Sequence, residues 1–205
     1  MKKILLSLLS LSSLVPLARA QYHVGTSGTK NPVLEVATGA WAGYCPDAFQ
    51  DIDEKVRPLY GNTIVMAWHN GDPMQITGDP YCTGSGYISG FPSGTIDRAN
   101  LGGSVGQMRP FETNVGVRSA LSPNFDVDML CTYNPSTRVM DVQVTGTALT
   151  SLTGNWYING YILEDSVASG PTSTYNQHNY YGGSGGTLSC TGSTSWWVSS
   201  GNPIM

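Results

Sequence analysis

The stretch TGAWAGYCPDAF, residues 38–49, sets one cysteine, Cys45, and one proline, Pro46, at the head of an amphipathic run, just after Trp41. A thiol at such a place could carry out disulfide exchange. That chemistry needs an accessible thiolate of low pKa, and the first turn of a helix supplies it through unpaired N–H groups and the positive end of the dipole. In a C-x-x-C loop the first cysteine attacks the substrate disulfide, and the second, more buried one resolves the mixed disulfide. Here Ala42 stands in the attacker's place and Cys45 in the resolver's. A resolver without an attacker cannot run the cycle. The residues therefore favour Cys45 as a buried structural thiol or as half of a structural disulfide. One rescue remains: Cys82, ten residues before Pro92, could approach Cys45 and form a displaced redox pair, with an ordinary structural bridge as the simpler alternative.

Other chemistries find less. His69, Asp72 and Asp79 cluster after a strand end, but one imidazole and two carboxylates at irregular spacing are a weak metal signal. A strand-end structural role for His69 is favoured, and neither metal nor cofactor is expected. His178, in YNQHNYY, reads as a hydrogen-bonding loop residue, and His23 as part of a mobile N-terminus. There is no G-x-S-x-G elbow and no P-loop or dinucleotide fingerprint. Gly84-Ser85-Gly86 lacks the flanking strand and helix. The net charge is −4 with no basic run, so nucleic-acid binding has no electrostatic footprint.

The surroundings of these residues speak of export. Lys2 and Lys3, the apolar run ILLSLLSLSSLVPL and Ala18-Arg19-Ala20 make a signal peptide over residues 1–20, with Gln21 first in the mature chain. The run is too short to span a bilayer, and position 21 is not cysteine, so no lipoprotein anchor is read. The expected location is the periplasm, the outer-membrane surface or the medium. The four cysteines, Cys45, Cys82, Cys131 and Cys190, are then disulfide candidates. Four allow three pairings. Cys131 and Cys190 both fall in the second half, where a bridge could staple a β domain. Charged residues are only 12% and glycines number 25, which favours β structure and tight turns.

Several elements must position the loop. Residues 33–38 read as a strand. CPDAFQDIDEKVRPLY reads as a helix, with Cys45, Phe49, Ile52, Val56 and Leu59 on its apolar face and Asp47, Gln50, Asp51, Glu54 and Lys55 on the other. Pro46 fits the first turn. NTIVMAW reads as a strand covered on both faces, completing a right-handed βαβ unit. Residues 93–99 suggest another strand, and 104–119 a helix with Met108 and Val115 inward, though Pro110 and Gly116 interrupt it. From Ser122 the texture changes. FDVDMLCTY and RVMDVQVTG, joined by NPST, read as a hairpin with one face buried. NWYINGYILED and TSWWVSS read as further strands of an antiparallel β-sandwich. The aromatics Trp156, Tyr157, Tyr161, Tyr175, Tyr180, Tyr181, Trp196 and Trp197 are dense here. Either Trp156 or Tyr157 is expected in the core, and Trp196 and Trp197 stay open as core, sugar-stacking or partner-anchoring groups. No closing strand follows Gly201-Asn202-Pro203, so the sandwich reads as truncated or completed by a partner's edge.

Taken together these blocks resemble a thioredoxin fold. Within it the chain resembles the Omp28-like outer-membrane protein family of Bacteroidetes, which carries W-C-G-Y-C-P at the loop. The matching residues are Trp41 and Gly43 through Pro46, with Ala42 in place of the family's first cysteine, then His69-Asn70 with Asp72-Pro73-Met74, Ile88 through Gly94, and Ile96-Asp97-Arg98. In the second half they are Ile162 through Asp165 and Tyr175-Asn176-Gln177 with Asn179. The resemblance covers roughly residues 33–203. It implies an α/β thioredoxin-like domain over 31–121, then an all-β Ig-like sandwich over 122–205, and a place in the cell envelope. It also implies that Pro92 is cis and faces the loop, with Phe91 offering its backbone N–H and C=O to an extended peptide. Trp41, Tyr44, Phe91 and Pro92 are thus the candidate peptide-binding groove. The leading reading is an exported envelope protein with a redox-inactive thioredoxin-like domain that binds extracytoplasmic proteins or peptides. In it Cys45 is at most a residual thiol, and any outer-membrane association is peripheral. The competing readings are a thiol–disulfide oxidoreductase using Cys45 and Cys82, and a surface adhesin or glycan binder acting through the sandwich.

Overall fold

The computed structural model describes residues 18–24, 29–77, 86–164 and 177. In chain order the elements are β1 (Ala18–Val24), β2 (Val33–Thr38), α1 (Cys45–Asp51), a π-helical turn (Ile52–Val56), α2 (Arg57–Leu59), β3 (Ile64–His69), β4 (Ser93–Ile96), α3 (Glu112–Ser119), β5 (Phe125–Asn134) and β6 (Val139–Ala148). They form a small α/β unit with a mixed sheet, and a separate antiparallel sheet. The described residues divide accordingly into two compact units. One is drawn from Ser27–Pro123 and Leu152–Met205, the other from Met1–Thr26 and Asn124–Ser151.

In the α/β unit the strand order is β3-β2-β4, with β2 parallel to β3 and antiparallel to β4. The central strand carries Leu34 and Val36 into a core shared with Ala48, Ile52, Val56, Ile96, Phe111 and Val115. Each large apolar side chain buried there contributes about 1.5–3 kcal/mol. The strand over 33–38 and the helix from Cys45 match the reading from periodicity. The helix differs on its second face. Asp47, Gln50 and Asp51, expected in solvent, are buried: the chain entering α3 contacts Asp47 and Asp51, and Gln50 donates to Glu54 at 2.7 Å. Arg109 pairs with Asp47. Asp51 accepts the Phe111 N–H at 2.9 Å and pairs with Lys55 at 3.2 Å. Buried carboxylates are tolerated when so partnered. At the far end Leu59, expected on the apolar face, is exposed.

Three further expectations are corrected. β3 is a sheet edge, so Met66 alone of its residues is buried and Ala67 is exposed; it is not covered on both faces. The helix expected from 104 begins at Glu112. Ahead of it Gln107 bridges to Gly94 and Ser104 to Leu101, and Met108 is exposed. Val115 faces inward as expected, and Phe111 takes the place expected of Met108. β4 stops at Ile96 rather than 99, because Asp97 and Arg98 take φ of 52° and 50°. They make a tight turn closed by the Ala99 N–H on the Ile96 carbonyl at 3.0 Å.

Asp97 ties that turn to its neighbours. Its carboxylate accepts the Val33 N–H at 2.9 Å and the Arg118 Nε at 2.7 Å, and pairs with Lys30 at 2.8 Å. Burial alone would raise its pKa; Lys30, the Val33 N–H and Arg118 together outweigh burial and hold it below the usual value. The stability this contributes is present above the unfolded pKa of about 3.9 and is lost as pH falls through the folded one. Asp97→Asn is expected to cost about 1–3 kcal/mol at neutral pH and to flatten the acid limb of the stability curve. Denaturant titrations from about pH 6 down to about pH 2 measure both.

The second unit is a three-stranded sheet, order β1-β5-β6, antiparallel throughout. The hairpin turns over residues 135–138, as the NPST signal indicates. Alternation puts Phe125, Val127, Met129, Cys131 and Tyr133 on one face with Met140, Val142 and Val144, and Asp126, Asp128, Asp141 and Gln143 on the other. The expected burial of the apolar face is not met among the described residues: Tyr133, Met140, Val142 and Val144 are exposed. No strand forms over 155–164, and Trp156 and Tyr157 are exposed rather than core. β1 begins at Ala18, inside the segment read as a leader, and includes His23, expected to be mobile. The TSWWVSS run, His178, Tyr175, Tyr180, Tyr181, Trp196 and Trp197 lie outside the described residues. Among the described residues no helix is long and apolar enough to cross a membrane.

Candidate functional site

The loop from Gly39 to Tyr44 joins β2 to α1. Two successive turns fold it: the Ala42 N–H reaches the Gly39 carbonyl at 2.8 Å, and the Cys45 N–H reaches the Ala42 carbonyl at 2.9 Å. Trp41 is thrown outward, 46% exposed. Its indole N–H still finds the Asn70 carbonyl at 2.7 Å, and its ring meets Phe91 edge-on with centroids 5.3 Å apart. Gly39 has to be glycine for this: a Cβ there would sit 2.6 Å from the Trp41 Nε1 and 2.8 Å from the Asn70 oxygen. The Phe91–Pro92 peptide is cis, the geometry expected of this proline. Of the four groove candidates, Trp41 and Phe91 are thus in contact. Pro92 is buried beside them in sequence, and Tyr44 is 53% exposed at the helix N-cap.

The parallel pairing of β2 with β3 places Thr38 opposite His69, and the chain after β3 clasps the loop. Asp72, its side chain 2% exposed, accepts the Ala40 N–H at 2.7 Å and the Met74 N–H at 2.9 Å, and hydrogen-bonds the His69 Nδ1 at 2.7 Å. His69 and Asp72 are therefore joined as the sequence suggested, but as a clasp. Asp79 lies outside the described residues, among which no cluster suited to a metal ion occurs.

Cys45 is fully buried. Burial pushes its thiol pKa up; the Thr38 hydroxyl and the Gly39 backbone favour the thiolate without offsetting burial, and the Asp72 charge adds to the rise. The Thr38 side chain is itself buried. The thiol is neutral at neutral pH, the reverse of what an attacking group requires. Neither Cys45 nor Cys131 is in a disulfide; Cys82 and Cys190 lie outside the described residues.

Two features escaped the sequence. Glu35, buried on β2, is gripped by both Arg98 nitrogens at 2.7 Å and by the Thr95 hydroxyl at 3.1 Å. Hydrogen bonding to Glu35 raises the Arg98 pKa further still. The other is Gln177, 5% exposed. Its Nε2 lies 2.9 Å from the Ala42 carbonyl oxygen and 3.3 Å from those of Gly39 and Ala40. Local pattern offers no signal for a contact more than 130 residues away in the chain. Tyr161 lies edge-on to Trp68, centroids 5.7 Å apart. Comparison with protein-family models, curated proteins and solved structures finds no match to this chain.

Proposed function

We propose that the α/β unit is a thioredoxin-like domain, of the Omp28-like family, whose loop has given up thiol exchange and holds extended protein or peptide segments. The observation that carries this is the contact of the exposed Trp41 ring with the partly buried Phe91, on a loop whose Cys45 is buried and neutral. An aromatic pair gives an incoming chain apolar area at low entropic cost, and the Phe91 main chain can extend it by strand-type hydrogen bonds. The strand order β3-β2-β4, with one parallel and one antiparallel neighbour, supports the domain reading. On the same reading the chain is exported and acts at the cell envelope; cleavage before Gln21 leaves Gln21–Val24 of β1 paired to β5, and that sheet with β6 is one half of an Ig-like sandwich.

Phe91→Asp tests the groove. With a reduced, carboxymethylated protein as extended-chain ligand, the substitution is expected to weaken capture at least about tenfold while leaving the thermal transition in place. Undiminished capture would sink the reading.

A further inference from the structure

We infer that the Gly39, Ala40 and Ala42 carbonyls form a socket for a primary carboxamide, filled in cis by Gln177, and that the segments this loop takes in trans present a glutamine side chain. This rests on the peptide-binding reading above and names its ligand class.

Three carbonyl oxygens converge on one amide nitrogen, at 2.9, 3.3 and 3.3 Å. The chemistry orients the amide, since its own oxygen would be repelled there. Two N–H groups serve three acceptors, so one hydrogen is shared. The Gly39 and Ala42 oxygens each already accept one bond from within the loop, and their second lone pairs face Gln177. A glutamate of the same length has no donor when ionised, so the socket discriminates amide from acid by charge and by hydrogen-bond sense. Residues other than Gln177 hold the socket's shape: the two loop turns and the Asp72 clasp on the Ala40 N–H. It therefore survives loss of its plug. Trp41 lies between Ala40 and Ala42 in the chain and touches Phe91, so the socket and the aromatic pair share one loop. The Ala42 oxygen that takes the plug also accepts the Cys45 N–H at 2.9 Å.

The test uses the full chain carrying Gln177→Ala and calorimetric titration with a capped peptide of the chain's own sequence YNQHN, against the same peptide with glutamate for glutamine. The variant is expected to bind the glutamine peptide at least about tenfold more tightly than the glutamate peptide, and more tightly than wild type does by a similar factor. Equal affinity for the two peptides, equal affinity of variant and wild type, or no binding of either overturns the socket. Such a failure leaves the Phe91→Asp result untouched, so the two readings fail separately. If Gln177→Ala unfolds, Gln177→Glu replaces it. Expulsion of the carboxylate is expected to speed native alkylation of Cys45 at least about tenfold, and an unchanged rate is equally fatal.

Discussion

Arg109→Ala is expected to cost about 3–5 kcal/mol of stability, the largest loss from a single side chain outside the apolar core. Asp47 is fully buried in the first turn of α1, and Arg109 is the cation paired with it. Removing the guanidinium breaks an ion pair of a fully buried carboxylate. The helix N-terminus relieves this only in part, since such a dipole is worth about 0.3–1 kcal/mol in ordinary settings. Urea titrations of both proteins at neutral pH measure the effect. A loss under about 1 kcal/mol, of the size found for exposed pairs, would show that this face of the helix is more open to water than described.

Asp72→Ala is the second large effect, expected at about 3 kcal/mol. One buried carboxylate accepts from the Ala40 N–H, the Met74 N–H and the His69 ring. Truncation orphans all three at once. Water reaching the partly exposed His69 limits the total. Asp72→Asn should cost roughly half as much, since the amide keeps one acceptor oxygen in place. It should also lower the Cys45 pKa, because the Asp72 charge contributes to that thiol's rise. Chemical denaturation gives the first quantity, and the pH dependence of Cys45 alkylation gives the second. A pH profile unmoved in Asp72→Asn would contradict the placement of this carboxylate beside the thiol.

The legible parts of the molecule are those governed by short-range period. The apolar alternation of VLEVAT and the helical spacing of Cys45, Ile52 and Val56 mark β2 and α1. The NPST punctuation marks the β5–β6 hairpin. Period failed where burial is bought by a distant polar partner. Asp47 and Asp51 look like a solvated face, and the arrival of Arg109 and Phe111 helps make their burial tolerable. It failed again for NWYINGYIL, whose residues suit a strand, because β propensity expresses itself through a pairing neighbour and none pairs with it among the described residues. The candidate site was half legible. Trp41, Phe91 and Cys45 stand out by type and spacing, whereas Gln177 is one polar residue in a polar run, and its meaning lies in three carbonyls on another part of the chain.

The account turns on whether the loop does redox chemistry. The direct measurement is reduction of insulin disulfides by the wild-type chain with dithiothreitol as electron donor, beside Cys45→Ser. A buried, neutral Cys45 with Ala42 in the attacker's place predicts no rate above the dithiothreitol blank for either protein. Turnover by the wild type that Cys45→Ser abolishes would contradict it and make this loop a working thiol centre.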